Sequence, residues 1–341
     1  MIPRVDLGIA ARIASVVAVG FFLVLLPKAR TDLLNYEFAF VGIYFIAIVG
    51  LNVVSGYNGQ LSIGHGAFMC FGAYTTAILS SNYDVNKYWT IPVAGVLTGI
   101  FGLLFGLPAL RLTGVYLALA TFSLAVSMPL VAKRFEGFTG GGGGLHLSLL
   151  SSPIDGVSTN AWNSYLVWAI AAVLFLAAWL LLRGRLGLAF RAVRDAPTAA
   201  VSSGINLAWT KTLAFGIAAA YAGVAGALLA ISTSYVNPDT FPVSLSILLL
   251  TGAVLGGLGS LSGMLFGAFF VQFGPKYSES LTAHIHYNEA TIQSTVVYGL
   301  LLLAVLYVMP DGAAGFLRYL ARVLKRGRGW LYSRHDSRVA A

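Results

Sequence analysis

The segment Arg183–Lys211 reads RGRLGLAFRAVRDAPTAAVSSGINLAWTK and is the one polar, helix-capable stretch between two long apolar runs. It carries five cations and a single anion, Asp195. Short connections this rich in Lys and Arg stay on the cytoplasmic side of a membrane. The segment therefore predicts an integral membrane protein and marks its cytoplasmic face.

A short amphipathic helix is expected within this segment, at the membrane surface. Asp195 is a candidate N-cap, and Pro197 is tolerated in the first turn of the helix that would follow. Gly204 followed by Asn206 is a stop signal. An ordinary connector anchored by snorkelling arginines is the alternative interpretation.

Composition agrees with a membrane protein. Hydrophobic residues make up 58% of the 341 residues and charged residues 10%, whereas soluble domains contain roughly 25% charged residues. No polar stretch is long enough for a separate soluble catalytic domain. The single cysteine, Cys70, excludes an intramolecular disulfide and a cysteine-based metal cluster.

Apolar runs of membrane-span length follow one another along the chain. The run ending at Pro27 is interpreted as an uncleaved first helix. Further spans are predicted at residues 34–54, 60–80, 90–107, 115–132, 162–182, 213–231 and 292–309. Residues 245–273 enter and leave by one face and are broken by four glycines within residues 256–263. The predicted fold is an all-α, polytopic helical bundle with eight full spans plus this glycine-broken hairpin, or ten membrane helices if the hairpin crosses.

The charge distribution predicts the orientation. In this topology, fifteen of the 21 Lys and Arg residues lie on the side of the Arg183–Lys211 loop and six on the other. This bias places both termini in the cytoplasm. Residues 1–316 then form one transmembrane domain, and residues 317–341 form a basic cytoplasmic tail that can lie on anionic lipid.

Two interrupted segments, residues 56–66 and 256–263, carry polar groups to membrane depth. Such groups are costly in a bilayer and tend to mark a transport route, and paired breaks in the two halves of a chain point the same way. Close helix packing is the alternative. We expect the route to be lined by Gln60, Ser62, Gly64, His65, Gly257, Gly259 and Ser260. Of these, Gln60, Ser62 and His65 are expected to face the route instead of holding fixed carbonyl partners.

Several other functions are disfavoured. The glycine run at residues 140–144 lacks the Lys-[Ser/Thr] of a phosphate-binding loop and is predicted to be a flexible external loop. His284 and His286 with Glu289 make a weak metal candidate. All twelve carboxylates fall outside the spans or at their ends, which disfavours a proton-coupled carrier. An intramembrane metalloprotease would need a His-Glu-x-x-His pattern, which is absent. No cofactor, catalytic residue or nucleic-acid partner is predicted.

Three stretches resemble one family. The order Arg191-Ala192-Val193-Arg194-Asp195, then Ala199-Ala200 and Gly204-Ile205-Asn206, resembles the cytoplasmic loop of permease subunits of bacterial ABC importers of the branched-chain amino acid type. The stretch GYNGQLSIGHGAF from Gly56 and the stretch GGLGSLSG from Gly256 resemble the early and late signatures of that family.

The resemblance implies a transport subunit of the inner membrane that does not itself hydrolyse ATP. Its partners would be ATPase subunits, a second related permease and a periplasmic solute-binding protein. Its substrates would be branched-chain or other apolar amino acids, with urea or short amides as near relatives. An ion-coupled secondary transporter is the alternative. The loop helix would dock on the ATPase through Arg191, Arg194, Asp195, Ala199, Ala200 and Gly204.

Overall fold

The computed structural model describes residues 31–110, 112, 114–148, 150, 152–154, 156–284, 294–310 and 312–316. The predicted first helix, the His286 and Glu289 positions and the basic tail lie outside these residues.

Helices account for most of the described chain. They are α1 (Asp32–Leu51), which continues as a π-helix (Asn52–Tyr57), α2 (His65–Asn82), α3 (Lys87–Ala109), α4 (Val115–Arg134), the short α5 (Glu136–Thr139), α6 (Thr159–Arg183), α7 (Arg185–Asp195), α8 (Pro197–Ser202), α9 (Leu207–Thr233), α10 (Val243–Gly256), α11 (Met264–His284) and α12 (Ser294–Val308). Short 3-10 turns occur at Gly141–Gly143 and Pro238–Thr240.

The two ends of the bundle hold different secondary-structure elements. One end, called here the strand end, holds the antiparallel pair β1 (Leu145–His146) and β2 (Tyr235–Val236). The other end, called the loop end, holds α7 and α8. An ion pair between Lys133 and Asp239, with 2.7 Å between Nζ and Oδ1, joins the last turn of α4 to the 3-10 turn Pro238–Thr240 at the strand end.

Helix α9 is the centre of the bundle. Its most apolar window is 89% buried, compared with 28% for α4 and 22% for α6. Small residues let neighbouring backbones approach it closely. A methyl group at Gly226 would lie 2.0 Å from the Met69 carbonyl oxygen of α2, and one at Gly72 would lie 2.3 Å from the Gly223 carbonyl oxygen. Glycine at these positions is therefore what allows α2 and α9 to cross.

The described ends of the predicted spans agree with the helices to within three residues, with two exceptions. The predicted span 213–231 starts six residues after Leu207, the first residue of α9. Residues 58–64, which begin the predicted span 60–80, lie outside any helix, and α2 begins only at His65. Seven described helices are long and apolar enough to cross a membrane, and they include Pro238–Gly256, the first arm of the predicted hairpin. The break between α10 and α11 comes where expected, at residues 257–263.

Two connecting regions make contacts that the sequence did not indicate. At the end of the glycine run 140–144, predicted to be a flexible external loop, Gly144 lies close to β2, because a methyl there would lie 2.2 Å from the Val236 carbonyl oxygen. Lys276 lies just beyond the predicted hairpin 245–273, yet it is inside α11 and pairs with Glu37 of α1. Local glycine content and charge do not reveal either contact.

Replacing Gly226 with alanine is expected to destabilise the bundle. The added methyl would meet a backbone oxygen that cannot rotate away, and such overpacking costs about 1–3 kcal/mol. The apparent melting temperature in detergent, followed by tryptophan fluorescence, should fall. Gly299→Ala is the matched control, because a methyl there meets no described atom within 4 Å. Equal melting temperatures for the two variants would contradict this packing.

Candidate functional site

The first interrupted segment leaves the π-helix at the loop end and has no helix from residue 58 to residue 64. Burial alternates along it, with Asn58, Gln60 and Ser62 buried and Leu61 42% exposed, as expected for a chain whose side chains alternate between two faces. Its buried face therefore belongs to the interior of this chain, and its other face is open.

Backbone groups freed by this interruption find partners on neighbouring elements. The backbone N–H of Gln60 donates to the backbone carbonyl of Val54 at 3.0 Å. The Gln60 carbonyl accepts from Ser55 Oγ at 3.0 Å, and the Ile63 amide donates to Thr121 Oγ1 at 2.9 Å. Side chains of the bundle thus replace the missing helical hydrogen bonds, which a bilayer interior cannot supply.

The three predicted polar route residues lie at successive depths. Gln60 Nε2 donates to the Lys211 carbonyl at 3.2 Å, near the start of α9. Ser62 Oγ accepts weakly from the Gly64 amide at 3.4 Å. His65 hydrogen-bonds the backbone of Ala47. The expectation that these side chains have no carbonyl partners is therefore wrong for Gln60 and His65.

One atom in this group lacks a partner. His65 Nε2 is buried and has no hydrogen-bond partner among the residues that the structure describes. The His65 side chain is 1% exposed.

The second interrupted segment touches the first. Asn52, in the π-helix, accepts from the Gly259 amide at 2.8 Å and donates to the Ser260 carbonyl at 3.0 Å. A methyl at Gly56 would lie 2.4 Å from the Gly259 nitrogen. Two predicted route residues of the second segment, Gly259 and Ser260, therefore contact the π-helix that leads into the first segment.

Glycine is required at the second break by backbone conformation. Gly257 and Gly259 have φ angles of +97° and +79°, which residues with side chains rarely adopt. Gly257 also lies beneath Gly312, where a methyl would come within 2.5 Å of the Gly257 nitrogen. The chain after α12 thus returns to cover this break.

Arg194 of α7 reaches both broken segments. Its Nη1 donates to the Gly56 carbonyl at 2.7 Å, and its Nε donates to Asp195 Oδ1 at 2.8 Å. A methyl at Gly59 would lie 2.6 Å from Arg194 Cγ, and one at Gly259 would lie 3.1 Å from Nη1. The loop is therefore in direct contact with the two segments that the sequence marked as a transport route.

The loop differs in detail from the prediction. It forms two helices, α7 and α8, and Asp195 is the last residue of α7 instead of the N-cap of the next helix. Ala196, with no capping side chain, separates them. Asp195 instead pairs with Arg194, and this hydrogen bond holds the pKa of the Asp195 carboxyl below its usual value.

The other predicted docking residues are divided between surface and interior. Ala199 is exposed, whereas Ala200 is only 3% exposed. Gly204 is exposed with φ +82°, and Asn206 caps α9 by accepting from the Trp209 amide at 3.0 Å. Arg191 Nε donates to the Gly187 carbonyl within its own helix at 3.2 Å.

Sequence reasoning missed Asn52, the residue that joins the two breaks. Its signal was present, because it is an amide inside a long apolar run and such residues are expensive in a membrane. Among the described residues, no group of three or more His, Cys, Asp and Glu could hold a metal ion.

The fold and these broken segments define an all-α, polytopic membrane protein with a helical loop joined to interrupted helices. A family model described as the permease component of branched-chain amino acid transport systems matches residues 33–306. The chain belongs to this family of permease components. The comparison with solved structures gave no match.

Three relatives are named as permease proteins of transport or import systems. The chain is 33% identical over 255 residues to the high-affinity branched-chain amino acid transport system permease protein LivM of Escherichia coli K12, covering 67% of this chain and 60% of LivM. It is 27% identical over 289 residues to LivH of Salmonella typhimurium, covering 80% and 91%. It is 29% identical over 271 residues to the autoinducer 2 import system permease protein LsrC of Klebsiella pneumoniae, covering 75% of each. The chain thus spans about 60% of the length of the LivM relatives.

Proposed function

We propose that this chain is the permease subunit of an ABC importer that carries branched-chain or other apolar amino acids across the bacterial inner membrane. The observation that carries the proposal is the contact between an exposed helical loop and two interrupted helices at one end of an apolar bundle. The family match over residues 33–306 and the names of the LivM and LivH relatives support the substrate class.

The partners follow from the same proposal. ATPase subunits dock at the loop end, a second related permease completes the membrane part, and a periplasmic solute-binding protein delivers the substrate at the strand end. The loop end is then cytoplasmic, as the excess of Lys and Arg on that side supports. Both termini lie on the same side, and α10 and α11 both cross the membrane, which gives ten membrane helices.

The exposed part of the loop is the docking surface in this proposal. Ala199 and Gly204 present small, exposed residues on and after α8, which suits insertion into a cleft of a partner. Val201 adds an apolar side chain that is 53% exposed. The buried Ala200 supports α8 from beneath, and Arg191 belongs to the preceding helix.

Substituting Ala199 with tryptophan tests the docking surface. A bulky ring on α8 should block insertion, so the ATPase subunits should no longer co-purify with the complex, and uptake of leucine in proteoliposomes should stop. Gly137→Trp is the matched control for ATPase recovery alone, since Gly137 is exposed at the strand end, away from the loop, and meets no described atom within 4 Å. Normal ATPase recovery with Ala199→Trp would leave the loop as a simple connector.

The transport route follows the first broken segment in this proposal. Gln60, Ser62 and His65 lie at successive depths along it. The unpartnered Nε2 of His65 can accept a hydrogen bond from a passing substrate, because the other ring nitrogen donates to the backbone of Ala47. Gly64 allows the close approach to Thr121, since a methyl there would lie 2.8 Å from its carbonyl oxygen.

Replacing His65 with leucine tests the route. Uptake should fall by about tenfold, the effect of roughly one lost buried polar interaction, while the assembled complex is recovered in normal yield. Thr76→Val is the control, because Thr76 lies in the same helix, is 0% exposed and also has an unpartnered hydroxyl among the described residues. Equal uptake by the two variants, or failure of His65→Leu to assemble, would refute the role of His65 in the route.

A further inference from the structure

The Arg194 side chain lies against three glycines of the two broken segments. It is a single side chain of α7, yet Nη1 donates to the Gly56 carbonyl of the first broken segment at 2.7 Å. Its stem passes directly over Gly59, and its tip lies beside Gly259 of the second broken segment. Its side chain is 35% exposed. The arginine that the sequence suggests for contact with a partner therefore has its partners within the chain.

The positions around this guanidinium are suited to arginine. Gly59 and Gly259 have φ angles of +74° and +79°, and neither has a side chain where Arg194 passes. The planar guanidinium offers several N–H donors in fixed directions. It can thus hold the Gly56 carbonyl and the Asp195 carboxylate at the same time, which the single ammonium of a lysine cannot do with the same geometry.

Asn52 links the two broken segments to each other. It is 0% exposed, and its amide makes hydrogen bonds to an N–H and a C=O of the second break. It lies in a π-helical turn, a distortion often found at functional sites. Asn52 thus joins the two breaks, and Arg194 joins them to the loop.

The other end of the loop is attached as well. Gln60 Nε2 donates to the backbone carbonyl of Lys211, which lies near the start of α9. The first broken segment is therefore held at two points. Arg194, near the end of α7, holds Gly56, and the start of α9 holds Gln60. The loop that lies between these two attachments is α8, the part with the exposed surface.

We propose that Arg194 is the positioning residue through which movement of the loop is transmitted to the two glycine-broken segments during transport. Arg194 acts through contacts inside the permease. It couples movement of the loop to the broken segments and does not attach the ATPase. This inference rests on the proposed function, in which the loop receives its movement from ATPase subunits. Energetic coupling between distant sites requires an element whose arrangement both sites bias, and the Arg194 contacts supply that element.

Three variants of the complete complex test this, reconstituted with its ATPase, partner permease and binding protein. Arg194→Met removes the guanidinium and keeps the stem, Arg194→Lys keeps the charge, and Arg185→Met removes an exposed cation of the same helix. The measurements are co-purification of the ATPase, the rate of ATP hydrolysis and leucine uptake per ATP hydrolysed.

Arg194→Met and Arg194→Lys should both keep the ATPase bound and hydrolysing, while leucine uptake per ATP falls by about tenfold, as for loss of a hydrogen bond to a charged group. Arg185→Met should match the parent. An unchanged uptake per ATP in Arg194→Met, or loss of the ATPase from that variant, would overturn the inference. Absence of ATP-driven uptake in the parent complex would instead refute the proposed function.

Gly59→Ala provides an independent variant if Arg194→Met does not assemble. Its methyl would collide with Arg194 Cγ and displace the side chain without changing charge. It should lower uptake per ATP in the same way, and parent-like coupling in this variant would overturn the inference.

Discussion

The need to satisfy backbone groups at two interrupted helices is the constraint on which the rest of this structure depends. A bilayer offers no hydrogen bonds, so each N–H and C=O released by a break requires a partner within the protein. Asn52 and Arg194 provide three of these partners, at Gly259, Ser260 and Gly56. Ser55 and Thr121 provide others. The side chains that stabilise the breaks are therefore the same ones that connect them to each other and to the loop.

Close approach of backbones makes these contacts possible. The α10–α11 hairpin is closed by glycines, because a methyl at Gly267 would lie 2.0 Å from the Gly252 carbonyl oxygen and one at Gly263 would lie 1.8 Å from the Gly256 carbonyl oxygen. The broken segment of the hairpin is thereby held at the loop end, beneath Gly56. Rigid helices on both sides of a break transmit displacement well, whereas the break itself can rearrange. A permease that opens and closes a route needs both properties.

The sequence predicted the class of fold, the position of both breaks and the helical loop, because apolar runs, glycine clusters and clustered cations are local signals. It did not reveal that residues 58–64 lie outside any helix, since Leu61 and Ile63 are equally compatible with a helix. Asp195 was also predicted to cap the helix that follows it, whereas α7 continues to Asp195 itself. The inward direction of Arg194 depends on the space left by Gly59 and Gly259, which are more than 100 and about 65 residues away in sequence and close only after folding.

Cryo-electron microscopy of the assembled complex, without nucleotide and with a non-hydrolysable ATP analogue, measures the central contact directly. The account predicts that Arg194 Nη1 stays within about 2.7–3.2 Å of the Gly56 carbonyl oxygen in both states, and that residues 58–64 and 257–263 shift together with α7. A guanidinium turned toward a carboxylate of the ATPase, with the loop displaced while both broken segments stay in place, would contradict it.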